Sequence, residues 1–328
     1  MTLIKSISGI RGTIGGETSY NLTPLDTVLY TAAYAHWLKK KLNSKHFRVV
    51  VGRDARISGS MIQGLVNQTL VGYGITVLDL GLSTTPTVEV AVMEYQAQGG
   101  IIITASHNPK EWNALKLLDQ KGEFLNAASG KAILEIAEQQ DFDFAKIDHL
   151  GEITAVDDAI YNHVKKVLNL PLVKVEAIKK RKFKVAVDAV NSTGGIAIPT
   201  LLEALGVTAV LLYCDPTGYF PHNPEPLKEH LTELSKKVVK ENVHFGIVVD
   251  PDVDRLAIIN EDGSMFGEEY TLVACADYVL SKTPGNTVSN MSSSRALRDI
   301  TNKHNGSYQA SAVGEVNVVE LMKATNAI

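Results

Sequence analysis

The sequence predicts an α/β protein in three consecutive units, and three observations carry that reading. Short, continuously apolar runs alternate with longer helical patterns along all 328 residues. The runs show little polar alternation, as strands covered by helices on both faces do. The length suits roughly two to three domains, and 45% apolar with 21% charged residues is an ordinary balance for chains that bury their own cores.

In the first unit, 48–52 reads as a strand, 59–73 as a helix, 75–80 as a strand, about 87–95 as a helix and 99–104 as a third strand. Strand-helix-strand alternation implies a parallel layer. Residues 141–151 read as a crossing into a second unit. There a helix over about 157–168 stops before Pro171, 183–187 is a strand, and Asn191-Ser192-Thr193-Gly194-Gly195 opens a helix through 205. A strand at 207–213, a helix at 227–241 and a strand at 245–249 follow. A third unit begins near Asp262-Gly263, with helices at 270–280, 294–303 and about 316–325 and strands at 286–291 and 307–312. The expected division is therefore 1–150, 151–260 and 261–328. With only two strands, and apolar Ala327-Ile328 at its end, the third unit reads as unfinished.

Composition excludes several classes. A net charge of −4 leaves no basic excess to displace phosphate counterions, so no dominant nucleic-acid surface is expected, though a local pocket for a small phosphate is compatible. Cys214 and Cys275 are far apart and form no Cys-x-x-Cys pair, which argues against zinc and redox motifs and fits a reduced, cytoplasmic compartment. The N-terminus lacks the apolar core of a signal peptide, and no run is long enough to span a bilayer, so no membrane partner is expected.

Two segments carry chemistry. Thr104-Ala105-Ser106-His107-Asn108-Pro109 ends the run Gly99-Gly100-Ile101-Ile102-Ile103 and presents Ser106 at a strand's carboxyl end, where open α/β folds place ligands. As a turn residue Ser106 needs no further explanation. As a nucleophile it needs activation, and Ala105 and His107 break the Gly-x-Ser-x-Gly elbow of serine hydrolases. His107 is a turn residue or a proton-transfer and phosphate-orienting group. Lys116, between Leu115 and Leu117, is a surface charge or a cation drawn towards the site.

Asp250-Pro251-Asp252-Val253-Asp254-Arg255 sets three carboxylates on alternate residues between two apolar runs. Two carboxylates about 4 Å apart repel by about 4 kcal/mol at an effective dielectric near 20, which a divalent cation removes. Oxygen ligands suit magnesium, above all when a phosphate completes the shell. An EF-hand is disfavoured because Arg255 takes the position that needs glycine and the flanks read as strands. A phosphatase with an Asp nucleophile would leave Ser106 unused, and a solvated acidic turn is the bland alternative. Arg255 could pair with one of the acids or donate to a phosphate. A serine facing bound magnesium suits a phosphate carrier better than a hydrolase nucleophile.

These two segments together resemble the α-D-phosphohexomutase superfamily. Gly9-Ile10-Arg11-Gly12, Gly52-Arg53-Asp54-Ala55-Arg56-Ile57-Ser58-Gly59, and Asp215-Pro216-Thr217-Gly218-Tyr219-Phe220-Pro221 with Pro224-Glu225-Pro226 agree, in the family's order. The resemblance implies three consecutive mixed α/β-sheet domains: domain I with the phosphoserine loop, domain II with the metal loop, and an incomplete domain III. It implies phosphorylation of Ser106 and transfer of that phosphoryl group between C1 and C6 of a hexose monophosphate through a bisphosphate. One magnesium ion would be held by Asp250, Asp252, Asp254 and the Ser106 phosphate, and a hexose bisphosphate would act as activator. Arg11 and Lys116 match positions near the reacting groups, Lys116 as a candidate general acid/base, and Arg255 matches the arginine that supports the phosphoryl site. Glu315, in Val313-Gly314-Glu315-Val316-Asn317, stands where phosphomannomutase/phosphoglucomutase relatives carry histidine, closer to the Gly-acid pattern of phosphoglucosamine mutases. The sugar-reading Gly-Glu loop and a fourth domain are expected beyond Ile328, and Gly267-Glu268-Glu269 is not a substitute for that loop. The chain is therefore expected to be a fragment of a four-domain mutase. A catalytically incomplete phosphosugar- and magnesium-binding protein and a sugar phosphatase stand as the alternatives.

Overall fold

The computed structural model describes residues 1–6, 9–44, 46–267 and 269–328. Strand β1 (Ile4–Ser6) pairs antiparallel with β2 (Gly9–Thr13), and helix α1 (Pro24–Lys41) follows. Its start is encoded locally: Thr23 and Asp26 form a capping box around Pro24, and Lys39, Lys40 and Lys41 meet the negative end of the helix dipole. Then come β3 (Arg48–Arg53), α2 (Gly59–Gly72), β4 (Thr76–Leu82), α3 (Thr85–Glu94), β5 (Gly99–Ile103), β6 (Trp112–Leu118), α4 (Ala127–Gln139) and β7 (Ile153–Ala155). They build a sheet of order β1-β2-β6-β5-β3-β4-β7. β3, β4, β5 and β7 are parallel, whereas β6 runs antiparallel between β5 and β2. The last strand of this sheet lies past residue 150, where the sequence suggested a boundary.

The apolar runs work as two-sided strands. Val49, Val51, Ile101 and Ile103 face a core with α1, α2 and α4, and Val50 and Ile102 face the opposite core with Val88 and Val92 of α3. Burial on both sides explains why the sequence shows no polar alternation there.

The second domain comprises α5 (Ala159–Leu168), α6 (Val175–Arg181), β8 (Lys184–Asp188), α7 (Gly194–Ala204), β9 (Thr208–Leu212), α8 (Thr232–Lys240), β10 (Phe245–Val249) and β11 (Leu256–Asn260). Its sheet order is β11-β10-β8-β9, parallel except for the β10–β11 hairpin. The helix expected over 227–241 is split: a 3-10 turn spans Lys228–His230, and Leu231 leaves helical geometry before α8. The third domain holds α9 (Tyr270–Leu280), β12 (Thr287–Asn290), α10 (Ala296–Lys303), β13 (Tyr308–Ser311) and α11 (Glu315–Thr325), with β12 and β13 parallel. Glu268 lies outside the described residues.

The loops after β3, β5 and β10 meet at one place. The Ala55 amide donates to Ser192 Oγ at 3.2 Å, and the Thr85 amide to the Asp252 carbonyl at 2.8 Å, so the first two domains are bonded beside the site. Among the described residues, no helix is long and apolar enough to cross a membrane.

Candidate active site

The serine loop is built around a buried arginine. Ser106 follows β5 with φ 48°, a left-handed conformation that costs a non-glycine residue about 1–3 kcal/mol unless its surroundings impose it. Arg56, 1% exposed, imposes it. Its Nε donates to Asp54 Oδ2 at 3.0 Å, Nη1 to the carbonyls of Pro109 and Trp112 at 2.6 and 3.0 Å, and Nη2 to those of Ser106 and Asn108. All five guanidinium N–H groups thus have acceptors. The Ser106 amide donates to Thr104 Oγ1 at 2.9 Å, and that hydroxyl donates to Asp54 at 2.7 Å. The outcome is a fixed Oγ, which donates to Asp250 Oδ2 across the domain boundary at 2.7 Å.

The acidic loop is the turn of the β10–β11 hairpin, which is why apolar strands flank it. Ligand oxygens of Asp250, Asp252 and Asp254 lie within 4.8 Å of one another. Val253, β-branched yet at φ 63°, marks the strained turn that throws its neighbours to one side. The loop is held by the Ser192 and Thr193 hydroxyls, which donate to the Pro251 carbonyl at 2.7 and 2.8 Å, and by the Arg255 amide, which donates to Asp250 Oδ1 at 3.1 Å. Asp252 is fully buried. Its Oδ2 accepts from Thr85 Oγ1 at 2.6 Å and Lys116 Nζ at 2.8 Å, while Oδ1 is buried without a hydrogen-bond partner. A buried carboxylate oxygen without a partner is costly, so this atom is where a cation fits. Burial and the neighbouring acids push Asp250 well above the usual carboxylate range. Asp252 feels the same burial, but Lys116 and Thr85 outweigh it and hold its carboxyl below that range.

Lys116 sits on β6 opposite Ile102, bonded to Asp252 and to Asp254 Oδ2 at 3.0 Å. Burial works against its charge, yet the two carboxylates win and keep it protonated above the ordinary lysine range. His107 Nδ1 lies 3.3 Å from Ser106 Oγ; burial and the Arg255 charge lower its pKa and favour the neutral ring. A cavity of about 400 Å³ is lined by Arg11, Ser106, His107, Lys116, Asp254 and Glu315 together. Glu315 enters from the third domain, at the start of α11 after Gly314, whose φ of +119° suits glycine. Burial and Asp254 raise its pKa.

The structure therefore gathers the sequence-derived candidates at one cleft, with one difference in partners. Arg255 Nη1 binds Glu225 Oε1 at 3.1 Å, so its guanidinium pairs with an acid of the 215–226 segment and not with one of its own loop. Two residues were missed as site components. Arg56 was visible only as part of a motif, since a buried arginine reads like any other in sequence. Glu89 on α3 is pushed up to about 8 by burial and by Glu315, and no sequence signal marks it.

The chain is similar to known proteins along most of its length. Sequence profiles for phosphoglucomutase/phosphomannomutase alpha/beta/alpha domains I, II and III match residues 3–144, 161–263 and 267–328. A phosphoglucomutase/phosphomannomutase of Thermococcus kodakarensis is 34% identical over 320 residues, 97% of this chain and 68% of that protein. A probable phosphoglucosamine mutase of Pyrococcus abyssi is 33% identical over 283 residues, 84% of this chain and 60% of that protein. A phosphoglucomutase/phosphomannomutase family protein from Burkholderia thailandensis has a solved structure that superposes with a TM-score of 0.84 at 25% identity, covering 99% of this chain and 70% of that one.

Proposed function

Because this chain belongs to the phosphoglucomutase/phosphomannomutase family, we propose that it carries the phosphoserine and metal half of a phosphohexomutase, which interconverts hexose 1-phosphate and hexose 6-phosphate through a bisphosphate. The observation that carries this reading is the 2.7 Å bond from Ser106 Oγ to Asp250, one member of a three-carboxylate cluster, at the floor of a cleft sized for a small ligand.

A magnesium ion fits Asp250, Asp252 and Asp254 by the chemistry of the donors and by the orphaned Asp252 Oδ1. When bound, it supplies positive charge to the transferring phosphoryl oxygens. The residues of the chain do the rest. In one half-reaction the phosphoryl group leaves Ser106 Oγ for a sugar hydroxyl: a sugar O–P bond forms, the Ser106 O–P bond breaks, the sugar hydroxyl proton passes to a base in the cleft, and the leaving Ser106 Oγ takes a proton. In the other half-reaction the bisphosphate returns its second phosphoryl group to Ser106: the Ser106 O–P bond forms, that sugar O–P bond breaks, the freed sugar oxygen takes a proton, and the Ser106 hydroxyl proton leaves. Neutral His107, next to Oγ, is placed to accept that proton. Lys116, kept protonated, is the acid available to the cleft; it serves as base only once released from Asp252 and Asp254. Arg11 faces the same cavity as a phosphate ligand, and Glu315 brings a carboxyl towards the sugar. Arg255, partly exposed, can turn from Glu225 to phosphate. A hexose bisphosphate would load Ser106, and the two free cysteines fit a cytoplasmic setting.

The test incubates the protein with glucose, mannose or glucosamine 1-phosphate, magnesium and a hexose bisphosphate primer. Formation of 6-phosphate is expected. Free phosphate alone would show a phosphatase, and no product would show a binding protein.

A further inference from the structure

Residues 215–226 form a strap that touches both arms of the site. Gly218 has φ +75°, and a Cβ there would stand 1.9 Å from the Ala55 carbonyl, so the strap backbone presses on the turn that carries Arg56. The Phe220 ring centre lies 5.1 Å from the Arg56 guanidinium carbon. Glu225 holds Arg255. One segment thus contacts the arginine that fixes the serine loop and the arginine beside the acids.

His222 lies between these contacts. Its Nε2 is 3.0 Å from Asp188 Oδ2, and its Nδ1 is 2.7 Å from the Asn223 carbonyl. Both partners are acceptors, so both ring nitrogens must carry hydrogen, and the ring is bound as imidazolium. Asp188 ends β8 and is 1% exposed. Its other oxygen accepts from the Val190 amide at 3.0 Å and fixes the turn at 188–193. From that turn Asn191 Nδ2 donates to the Tyr219 carbonyl, the Asn191 carbonyl accepts from the Gly218 amide, and Ser192 and Thr193 hold Pro251 of the acidic loop.

We propose that the His222–Asp188 pair is a positioning clamp, which fixes the strap so that Glu225 aims Arg255 and Phe220 covers Arg56. This rests on the phosphohexomutase reading for its effect on chemistry, but not for its effect on structure. The groups facing His222 are Asp188 from β8, the Tyr213 ring, whose centre lies 5.8 Å from that of the imidazole, and Glu233 of α8, which accepts from the Tyr213 hydroxyl. Burial lowers the pKa of His222, and Asp188, the Asn223 carbonyl and Glu233 outweigh it and raise it above the usual imidazole range. The clamp is therefore complete below about pH 6.5 and weakens as pH rises through the raised value.

The test has two readouts on the 328-residue chain. In single-turnover phosphorylation of Ser106 by glucose 1,6-bisphosphate with magnesium, His222→Ala should lower the maximal rate about tenfold and leave half-saturation within twofold. The double variant His222→Ala/Arg255→Ala should lose clearly less than the product of the two single losses, because His222 acts in part through Arg255 and in part through the Phe220–Arg56 contact. Additive losses, or an unchanged rate in His222→Ala, would overturn the clamp. Amide hydrogen exchange is independent of phosphorylation. His222→Ala should speed exchange at least tenfold both in 216–226 and at the Arg255 amide, and Asp188→Asn should lower the His222 titration point seen by NMR. Faster exchange confined to the strap, or an unmoved titration point, would also overturn it. A wild-type chain that never accepts phosphate sinks the mutase reading, and the exchange result then decides the clamp by itself.

Discussion

Replacing Arg56 tests how the serine loop is built. The wild-type guanidinium satisfies Asp54 and the carbonyls of Ser106, Asn108, Pro109 and Trp112, with no N–H left over. Arg56→Ala strips a fully buried carboxylate of its cation, a loss of about 3–5 kcal/mol. That is a large part of the total stability of about 5–15 kcal/mol expected of a domain. Arg56→Lys is more informative. An ammonium has three donors, so at least two of the five acceptors lose their partner, at about 1–3 kcal/mol each where water cannot replace it. Urea unfolding followed by Trp37 and Trp112, the chain's two tryptophans and both in the first domain, should show Arg56→Lys destabilised by about 2–4 kcal/mol yet folded. Its Ser106 phosphorylation rate should fall about tenfold or more, because Ser106 loses the bond that holds it at positive φ. A Lys variant within about 0.5 kcal/mol of wild type, with an unchanged phosphorylation rate, would refute the view that Arg56 shapes the loop.

Further outcomes follow from the same geometry. Lys116→Ala removes a cation bonded to two of the three acids, so calorimetry should show magnesium binding about tenfold tighter while turnover falls; weaker magnesium binding would mean that Lys116 does not compete for those oxygens. Glu89 is neutral in the folded chain up to about pH 8 but ionised above about pH 4.5 when unfolded, so wild-type stability should fall as pH rises across that window. Glu89→Gln should match wild type near pH 4.5 and exceed it by about 2–4 kcal/mol near pH 7.5; parallel pH–stability curves would contradict this. Asp252→Asn should raise the magnesium concentration needed for Ser106 phosphorylation about tenfold or more, and an unchanged magnesium requirement would move the metal elsewhere.

Much of the fold was legible in the sequence for physical reasons. Runs such as Val49-Val50-Val51 and Ile101-Ile102-Ile103 face a core on each side, and that burial leaves a continuous apolar signature. Other elements left none. β6 carries Asn113 and Lys116 because one end of it forms the site, which interrupts its apolar run. α1 buries Asp26, Thr27 and Thr31 along with its alanines, so its two faces differ little. β7 is three residues with no buried member. At the site, the serine and the acids were legible because their spacing is unusual. The roles of Arg56, Glu89 and His222 were not, since each depends on partners 34 to 226 residues away in sequence.

The central claim is that Ser106 Oγ carries a phosphoryl group opposite three metal-binding carboxylates. Intact-mass spectrometry after incubation with glucose 1,6-bisphosphate and magnesium tests it most directly. One added phosphate is expected, located on Ser106, absent in Ser106→Ala and suppressed by chelation. Phosphate on another residue, or equal labelling of Ser106→Ala, would contradict it.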